Sequence, residues 1–141
     1  MQTTTRTEAL HELIRLGELS RAYWSKELPK HHPKYPIVQH GEASGPPPPE
    51  DKQIHDLLNG LPEPDLYILL TLMYLGRGDF DLNHLASGYR KIKNAFPERE
   101  LVIDQMLGKT VLSEYLIDAM DEIREGRIDL DSQSFETSIA S

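Results

Sequence analysis

The amino-acid sequence predicts an all-α fold, a compact bundle of about five to six helices. Apolar residues recur at three- and four-residue intervals in several windows, as they do on the buried face of a helix. No window alternates apolar and polar residues over more than a few positions, as a half-buried strand would. A length of 141 residues with 38% hydrophobic content suits one modest core. We therefore predict a single helical domain over residues 1–128 and a flexible, disordered polar tail over residues 129–141, which has too little apolar surface to offset chain ordering.

The first predicted helix begins at a capping box and runs to about Leu28. Thr5 and Glu8 have the spacing of that box, in which each side chain accepts a hydrogen bond from the other residue's backbone. Gly17 weakens the helix by about 1 kcal/mol relative to alanine. Pro29 is expected to end it, because the residue before a proline disfavours the helical conformation.

A connection rich in proline and glycine follows over residues 29–49 and ends in four consecutive prolines, residues 46–49. Irregular connections longer than about 12 residues are unusual within a domain, so this one is either functional or a tether. Four prolines favour a short polyproline II rod, a conformation that aromatic grooves of other proteins bind. A stiff spacer is the favoured interpretation, since no flanking arginine completes a docking pattern.

Three histidines in this connection raise the hypothesis of a metal site. His31, His32 and His40 lie close together in sequence, and imidazole binds zinc, nickel and copper. Metal sites normally use three or four ligands at defined spacing on ordered segments, and this pattern has no helical pair of histidines. Solvated loop histidines are therefore favoured, and no cofactor is predicted.

Two helices are predicted next. Pro49 suits a first helical position, and Gly60 stops that short amphipathic helix. The following helix, from about Leu66, is apolar nearly all round and should be central. Gly76 is expected to end it as the left-handed residue that closes many helices.

Three more helices complete the prediction. Asp79 or Asp81 can cap one of them, which Pro97 breaks, and a short helix follows over residues 98–107. The last helix, opened by Thr110 and ended by Gly126, has the cleanest amphipathic pattern. Its outer face is acidic, with Asp118, Asp121, Glu122 and Glu125. The predicted core comprises Leu69, Leu70, Met73, Leu85, Tyr89, Leu112, Leu116 and Met120.

The most distinctive segment is residues 72–80, Leu-Met-Tyr-Leu-Gly-Arg-Gly-Asp-Phe, which joins two well-defined helices. Gly76 and Gly78 permit positive φ angles, and Asp79 can accept hydrogen bonds from exposed backbone N–H groups. Arg77 is either a structural cation beside helix-end carbonyls and carboxylates or a ligand-binding arginine on a rigid loop. The structural role is favoured, and the candidate functional turn is Gly76 to Asp79.

This segment resembles an uncharacterised bacterial family, a domain of unknown function. Members of that family carry an apolar helix ending in Leu-Met-aromatic-Leu-Gly-Arg-Gly-Asp-aromatic. Residues 107–116 are similar to the same family's second block, a turn that leads into a Tyr-Leu helix, although Val111 stands where the family usually has proline. The resemblance covers about residues 66–123 and implies kinship and a helical fold, but no activity.

Charge and composition narrow the function classes. The net charge of −8 is concentrated after residue 40, and such a surface repels a phosphate backbone. Nucleic acid is therefore disfavoured as a partner. Arg90, Lys91 and Lys93 form the compact basic patch that would contact it, and a solvated helix face is the alternative interpretation of this patch.

The chain has no cysteine, which excludes disulfides, thiolate zinc sites and a cysteine nucleophile. No apolar run is long enough for a membrane span and the first residues lack a secretory signal, so a cytoplasmic protein is expected.

These observations leave three hypotheses for function. The first is a small helical protein–protein interaction module, binding a partner or a second copy, with the acidic last helix and the Arg77 turn as candidate surfaces. The second is a small-ligand-binding protein or an enzyme with Arg77 and Asp79 in a cleft. The third is a nucleic-acid-associated regulator. An enzyme is not favoured, because the chain has no phosphate-binding loop, nucleophile elbow or metalloprotease motif.

Overall fold

The computed structural model describes residues 5–31, 49–108 and 111–140, and these residues form helices and turns without a strand. The all-α prediction is confirmed for this part of the chain. The predicted five to six helices become seven, together with a short 3₁₀ turn over Leu82–His84. The helices are α1 (Arg6–His31), α2 (Pro49–Asn59), α3 (Glu63–Arg77), α4 (Leu85–Ala95), α5 (Arg99–Leu107), α6 (Leu112–Glu125) and α7 (Gln133–Ala140). No helix in the described ranges combines the length and apolar character needed to cross a membrane.

Helix α3 is the centre of the bundle, as its apolar surface on all sides predicts. Every residue from position 66 to position 75 is buried. Helices α4, α5 and α6 all pack on α3, and α1 contacts both α3 and α6. Of the eight predicted core residues, seven are buried and Met120 is half-buried against the same cluster.

Helix α1 continues to His31, so the prediction that it ends near Leu28 is wrong. Pro29 lies in the final turn of the helix, where the missing N–H removes one hydrogen bond while the preceding turns stay paired. Residues 32–48, which include three of the four consecutive prolines and the histidines at positions 32 and 40, lie outside the described residues. The side chain of His31 is also outside them, so the polyproline and metal hypotheses stay predictions.

Gly17 lies where α1 packs closely against α6. A Cβ built at this glycine would lie 3.3 Å from the Cβ of Ser113, at the start of α6. Ser113 is itself buried. The glycine therefore lets α1 approach the first turn of α6 closely.

The C-terminal segment differs from the predicted disordered tail. Residues 133–140 form α7, which packs on α4, and Leu130, Phe135 and Ile139 are buried. The Ser132 hydroxyl accepts a hydrogen bond from the backbone N–H of Phe135 at 3.0 Å, as an N-cap does. These isolated apolar residues bury enough surface only because α4 supplies the opposing face.

Arg6 holds this C-terminal segment to the start of α3. Its Nε donates to Asp65 Oδ1 at 2.6 Å, and its Nη1 donates to the Leu130 carbonyl at 2.9 Å. Its Nη2 lies 3.3 Å from Glu136 Oε2 on α7. Burial alone would lower the pKa of Arg6, but the hydrogen bonds and charges of Asp65 and Glu136 outweigh it and raise that pKa. One guanidinium therefore ties α1, α3 and α7 together.

Arg6→Ala is expected to lower the free energy of unfolding by about 2 kcal/mol and to loosen α7. The side chains of Arg6 and Asp65 are only 10% and 14% exposed, so the substitution leaves a carboxylate without its partner in a poorly solvated position. Chemical denaturation measures the first effect, and amide exchange over residues 133–140 measures the second. Arg15→Ala, at an exposed arginine of α1, is the control and should change neither. Unaltered exchange of α7 in Arg6→Ala would contradict this role.

Candidate functional site

The turn after α3 closes at Gly78, so the prediction that Gly76 ends the helix is wrong. Gly78 has a φ of 93°, in the left-handed region that glycine adopts without strain. Its N–H donates to the Leu75 carbonyl at 3.0 Å, and the N–H of Asp79 donates to the Tyr74 carbonyl at 3.1 Å. This pair of hydrogen bonds is the Schellman motif.

Gly76 lies inside α3, where the absence of a side chain lets another helix approach closely. A Cβ at this position would lie 1.7 Å from the Tyr115 carbonyl oxygen and 3.0 Å from the Ala119 nitrogen. Helix α6 therefore crosses α3 with its backbone against Gly76. The distinctive turn and the Tyr-Leu helix, which lie far apart in sequence, meet at this crossing.

Arg77 forms a local surface cluster with two neighbours. Its Nε and Nη2 donate to the two carboxylate oxygens of Asp79 at 3.0 and 2.7 Å, and its guanidinium carbon lies 4.6 Å from the centre of the Tyr74 ring. The hydrogen bonds that Arg77 donates to Asp79 raise the pKa of Arg77. Both members of the ion pair remain more than a third exposed. Arg77 therefore contacts a carboxylate, but that carboxylate is on the surface.

Neither predicted aspartate cap is formed. Asp79 is engaged by Arg77, and Asp81, which precedes the 3₁₀ turn, makes no side-chain cap to it. Instead Asp81 Oδ1 lies 2.8 Å from His84 Nδ1. This hydrogen bond lowers the pKa of the Asp81 carboxyl. Both carboxylates thus have partners within the turn.

Arg77→Ala is expected to reduce stability by about 1 kcal/mol or less. An exposed ion pair contributes little in water, and the contact with the Tyr74 ring adds a similarly small amount. Arg77→Lys keeps the charge but loses the two-pronged geometry, so it should fall between the alanine variant and the wild type. Urea denaturation of the three proteins measures the order. A loss of 3 kcal/mol in the alanine variant would contradict a surface role.

Phe80 inserts its ring against α4, and Gly88 makes room for it. A Cβ at Gly88 would lie 2.6 Å from Phe80 Cζ, so any larger residue would displace the ring. Phe80 itself is half-buried. The aromatic residue at the end of the turn and a glycine in the middle of α4 therefore form one contact.

This contact forms part of a groove of about 660 Å³ between the turn and α4. Its apolar lining includes Tyr74 and Phe96, whose rings stack with centroids 6.4 Å apart. The Tyr74 hydroxyl accepts a hydrogen bond from Gln105 on α5 at 2.7 Å, which fixes the ring. The full lining is Tyr74, Asp79, Phe80, Asp81, His84, Ser87, Gly88, Lys91, Ile92, Ala95 and Phe96.

The charges around the groove are distributed unevenly. At the turn, Asp79 is paired with Arg77 and Asp81 with His84. Lys91, which lines the groove further along α4, is exposed, and no carboxylate among the described residues pairs with it. The groove thus combines an aromatic floor with a lysine that has no ion-pair partner among the described residues.

The other predicted surfaces lie apart from the groove. Along α6, Asp118, Asp121 and Glu125 are exposed and Glu122 is half-buried, which matches the predicted acidic face. Within the described ranges, no three histidine, aspartate or glutamate side chains converge in a way that could hold a metal ion.

The basic residues point in different directions around α4. Arg90 and Lys93 line a pocket of about 250 Å³ beside α7, with Lys93 5.5 Å from the Tyr89 ring centre, whereas Lys91 lines the groove. Sequence reasoning treated the three cations as one face and did not anticipate the groove. Gly88, a glycine inside the helix that packs against the turn, is the feature of the sequence that could have indicated the groove.

Comparison with known proteins identifies a family. The sequence model of a family described as "Protein of unknown function (DUF3775)" matches residues 51–124, more than half of the chain. The match begins in α2 and ends in α6, so it includes the turn, the groove and the α3–α6 crossing but leaves out α1 and α7. No curated protein and no solved structure matches the chain significantly.

Proposed function

This chain belongs to the DUF3775 family, to which no function is assigned, and we propose that it is a small helical protein–protein interaction module. The groove between the turn and α4 is its docking site, and a segment of a partner protein is the occupant. The observation that carries this proposal is the shape and lining of the groove. It is long, open and floored by aromatic rings.

The groove follows one face of α4 from end to end. Its lining residues at the end of the 3₁₀ turn and along α4 are spaced three and four apart, at positions 84, 87, 88, 91, 92 and 95. This stretch is about 16 Å long, roughly three helical turns. Grooves of this form bind partner helices through several side chains spaced along one face.

Several residues of the motif at positions 72–80 contribute to this site. Tyr74 and Phe80 supply two of its aromatic walls, and Asp79 lies at its rim. Gly78 provides the tight turn that places Phe80 against α4. Aromatic residues are frequent among those that dominate the binding energy of protein interfaces.

A steric variant tests the groove against a matched control. Ala95 is exposed and lines the groove, whereas its neighbour Asn94 is exposed and does not. We expect Ala95→Trp to fill the end of the groove and lose a partner that the wild type captures from cells of the native host, and Asn94→Trp to retain it. Asp118→Lys, on the acidic face of α6, probes the other candidate surface. If Asp118→Lys alone loses the partner, the interface lies on α6 and the groove is not the docking site.

A small-ligand site is the second candidate, favoured by the volume of the same groove. About 660 Å³ lies within the range of roughly 300–1,000 Å³ that small-molecule sites occupy. Native mass spectrometry of protein purified from its host tests this alternative. A small molecule that co-purifies with the wild type and Asn94→Trp, but not with Ala95→Trp, would support it.

A further inference from the structure

We propose that the occupant of the groove is a short amphipathic helix of a partner protein that presents a carboxylate to Lys91. This inference rests on the proposed function, because it specifies the chemistry of the segment that docks there. Two independent observations support it: the way in which α7 packs on the other flank of α4, and the exposed Lys91, which has no ion-pair partner among the described residues.

Helix α7 shows what kind of segment packs beside α4 in this protein. It is an eight-residue helix whose apolar contacts come from Phe135 and Ile139, four residues apart. Its Glu136 pairs with Arg6 of α1 and also lines the small pocket that includes Arg90 and Lys93. A short helix with two apolar anchors and one carboxylate beside basic residues therefore fits this flank.

The two flanks of α4 have the same chemical pattern. The flank covered by α7 offers apolar Leu85 and Tyr89 with basic residues beside them. The groove flank offers Phe80 and Ile92 with Lys91 beside them, and nothing in the described chain covers it. Positions 85, 89 and 93 point about 130° away from positions 84, 88 and 91 around a helix with 3.6 residues per turn.

The charge of Lys91 favours a carboxylate of the partner beside it. Asp79 is already paired with the cation Arg77, and Asp81 is hydrogen-bonded to His84, whose ring carries a charge only when protonated. Lys91 has no such partner in the described part of the chain, and a carboxylate placed beside it would be attracted without displacing an existing pair. Charge complementarity of this kind fixes the register of a bound segment.

Two synthetic peptides test the proposal on the full-length protein. The acidic probe is a stapled, fluorescent helix of about three turns with Phe and Ile four residues apart and Glu after the Phe, the pattern of α7. The basic probe differs only in having Lys in place of that Glu. Fluorescence anisotropy measures the affinity of both for the wild type, Lys91→Glu, Lys93→Glu and Ala95→Trp. Circular dichroism establishes that each variant is folded.

We expect the acidic probe to bind the wild type and to lose about tenfold in affinity in Lys91→Glu, where attraction becomes repulsion. The basic probe should regain affinity in Lys91→Glu. Lys93→Glu is the matched control, because it changes the same charge on the same helix outside the groove, and it should have little effect. Ala95→Trp should prevent binding of both probes.

Two results would overturn the inference. If Lys91→Glu and Lys93→Glu lose equal affinity for the acidic probe, only the net charge of the protein matters. If neither probe binds the wild type, the occupant of the groove is not such a helix. Neither result decides the proposed function, which depends on whether Ala95→Trp loses the native partner. A partner that is captured through the groove but competes only with the basic probe would refute the acidic helix and leave the interaction module intact.

Discussion

Gly76→Ala is expected to lower the free energy of unfolding by about 3 kcal/mol or more, although it adds only one methyl group. The new Cβ would lie 1.7 Å from the Tyr115 carbonyl oxygen and 2.7 Å from its carbon. Both are backbone atoms of α6, so no side-chain rotation can relieve the overlap, and α3 and α6 must move apart. Because α3 and α6 form the most extensive helix contact in the bundle, their displacement should cost more than most overpacking substitutions do.

Gly78→Ala is the matched control, two residues away. Nothing lies within 4 Å of a Cβ at Gly78, so the only cost is holding alanine at a φ of 93°. That cost is about 1 kcal/mol. Thermal and urea denaturation of the two variants should therefore differ clearly. Equal losses, or a larger loss in Gly78→Ala, would mean that the α3–α6 crossing is not as close as described.

Leu70→Ala is the second change with a large expected effect, a loss of about 2 to 5 kcal/mol in the free energy of unfolding. Leu70 is fully buried on α3, between the helices that surround it, so truncation leaves a cavity that the fixed backbones cannot close. Urea denaturation at equilibrium measures the loss.

Leu101→Ala provides the comparison for Leu70→Ala. Leu101 is 42% exposed on α5, so the same truncation removes less buried surface and leaves no enclosed cavity. We expect its loss to be well below that of Leu70→Ala. A loss below about 0.5 kcal/mol in Leu70→Ala would show that the apolar stripe of α3 does not face the core.

The residues of the turn divide into those that hold the fold and those that shape the groove. Gly76 permits the approach of α6, and Gly78 permits the reversal of the chain. Phe80 fills the space that Gly88 leaves and becomes a groove wall. This division allows the groove to be altered at Lys91 or Ala95, which are both exposed, without disturbing the helix crossing.

The sequence by itself determined the first six helices and the apolar stripes of the central core. Helical periodicity is a local property, so the stripe containing Leu69, Leu70 and Met73 could be read directly and is buried as predicted. Pro49 at the start of α2 and the break before Pro97 follow from the backbone chemistry of proline. The resemblance to a family of unknown function rested on two short motifs, and the family match confirms it.

Tertiary structure alone decided which glycine closes a turn, where the tail packs and where a groove forms. From the sequence, Gly76 and Gly78 are equally able to end the helix, and only the position of the α6 backbone distinguishes their roles. Arg6 and the Leu130 carbonyl are 124 residues apart in the chain, so no local pattern could pair them or predict that α7 docks. The physical reason is the same in each case: these contacts join segments distant in sequence, and their energies depend on helix positions that local propensities leave open.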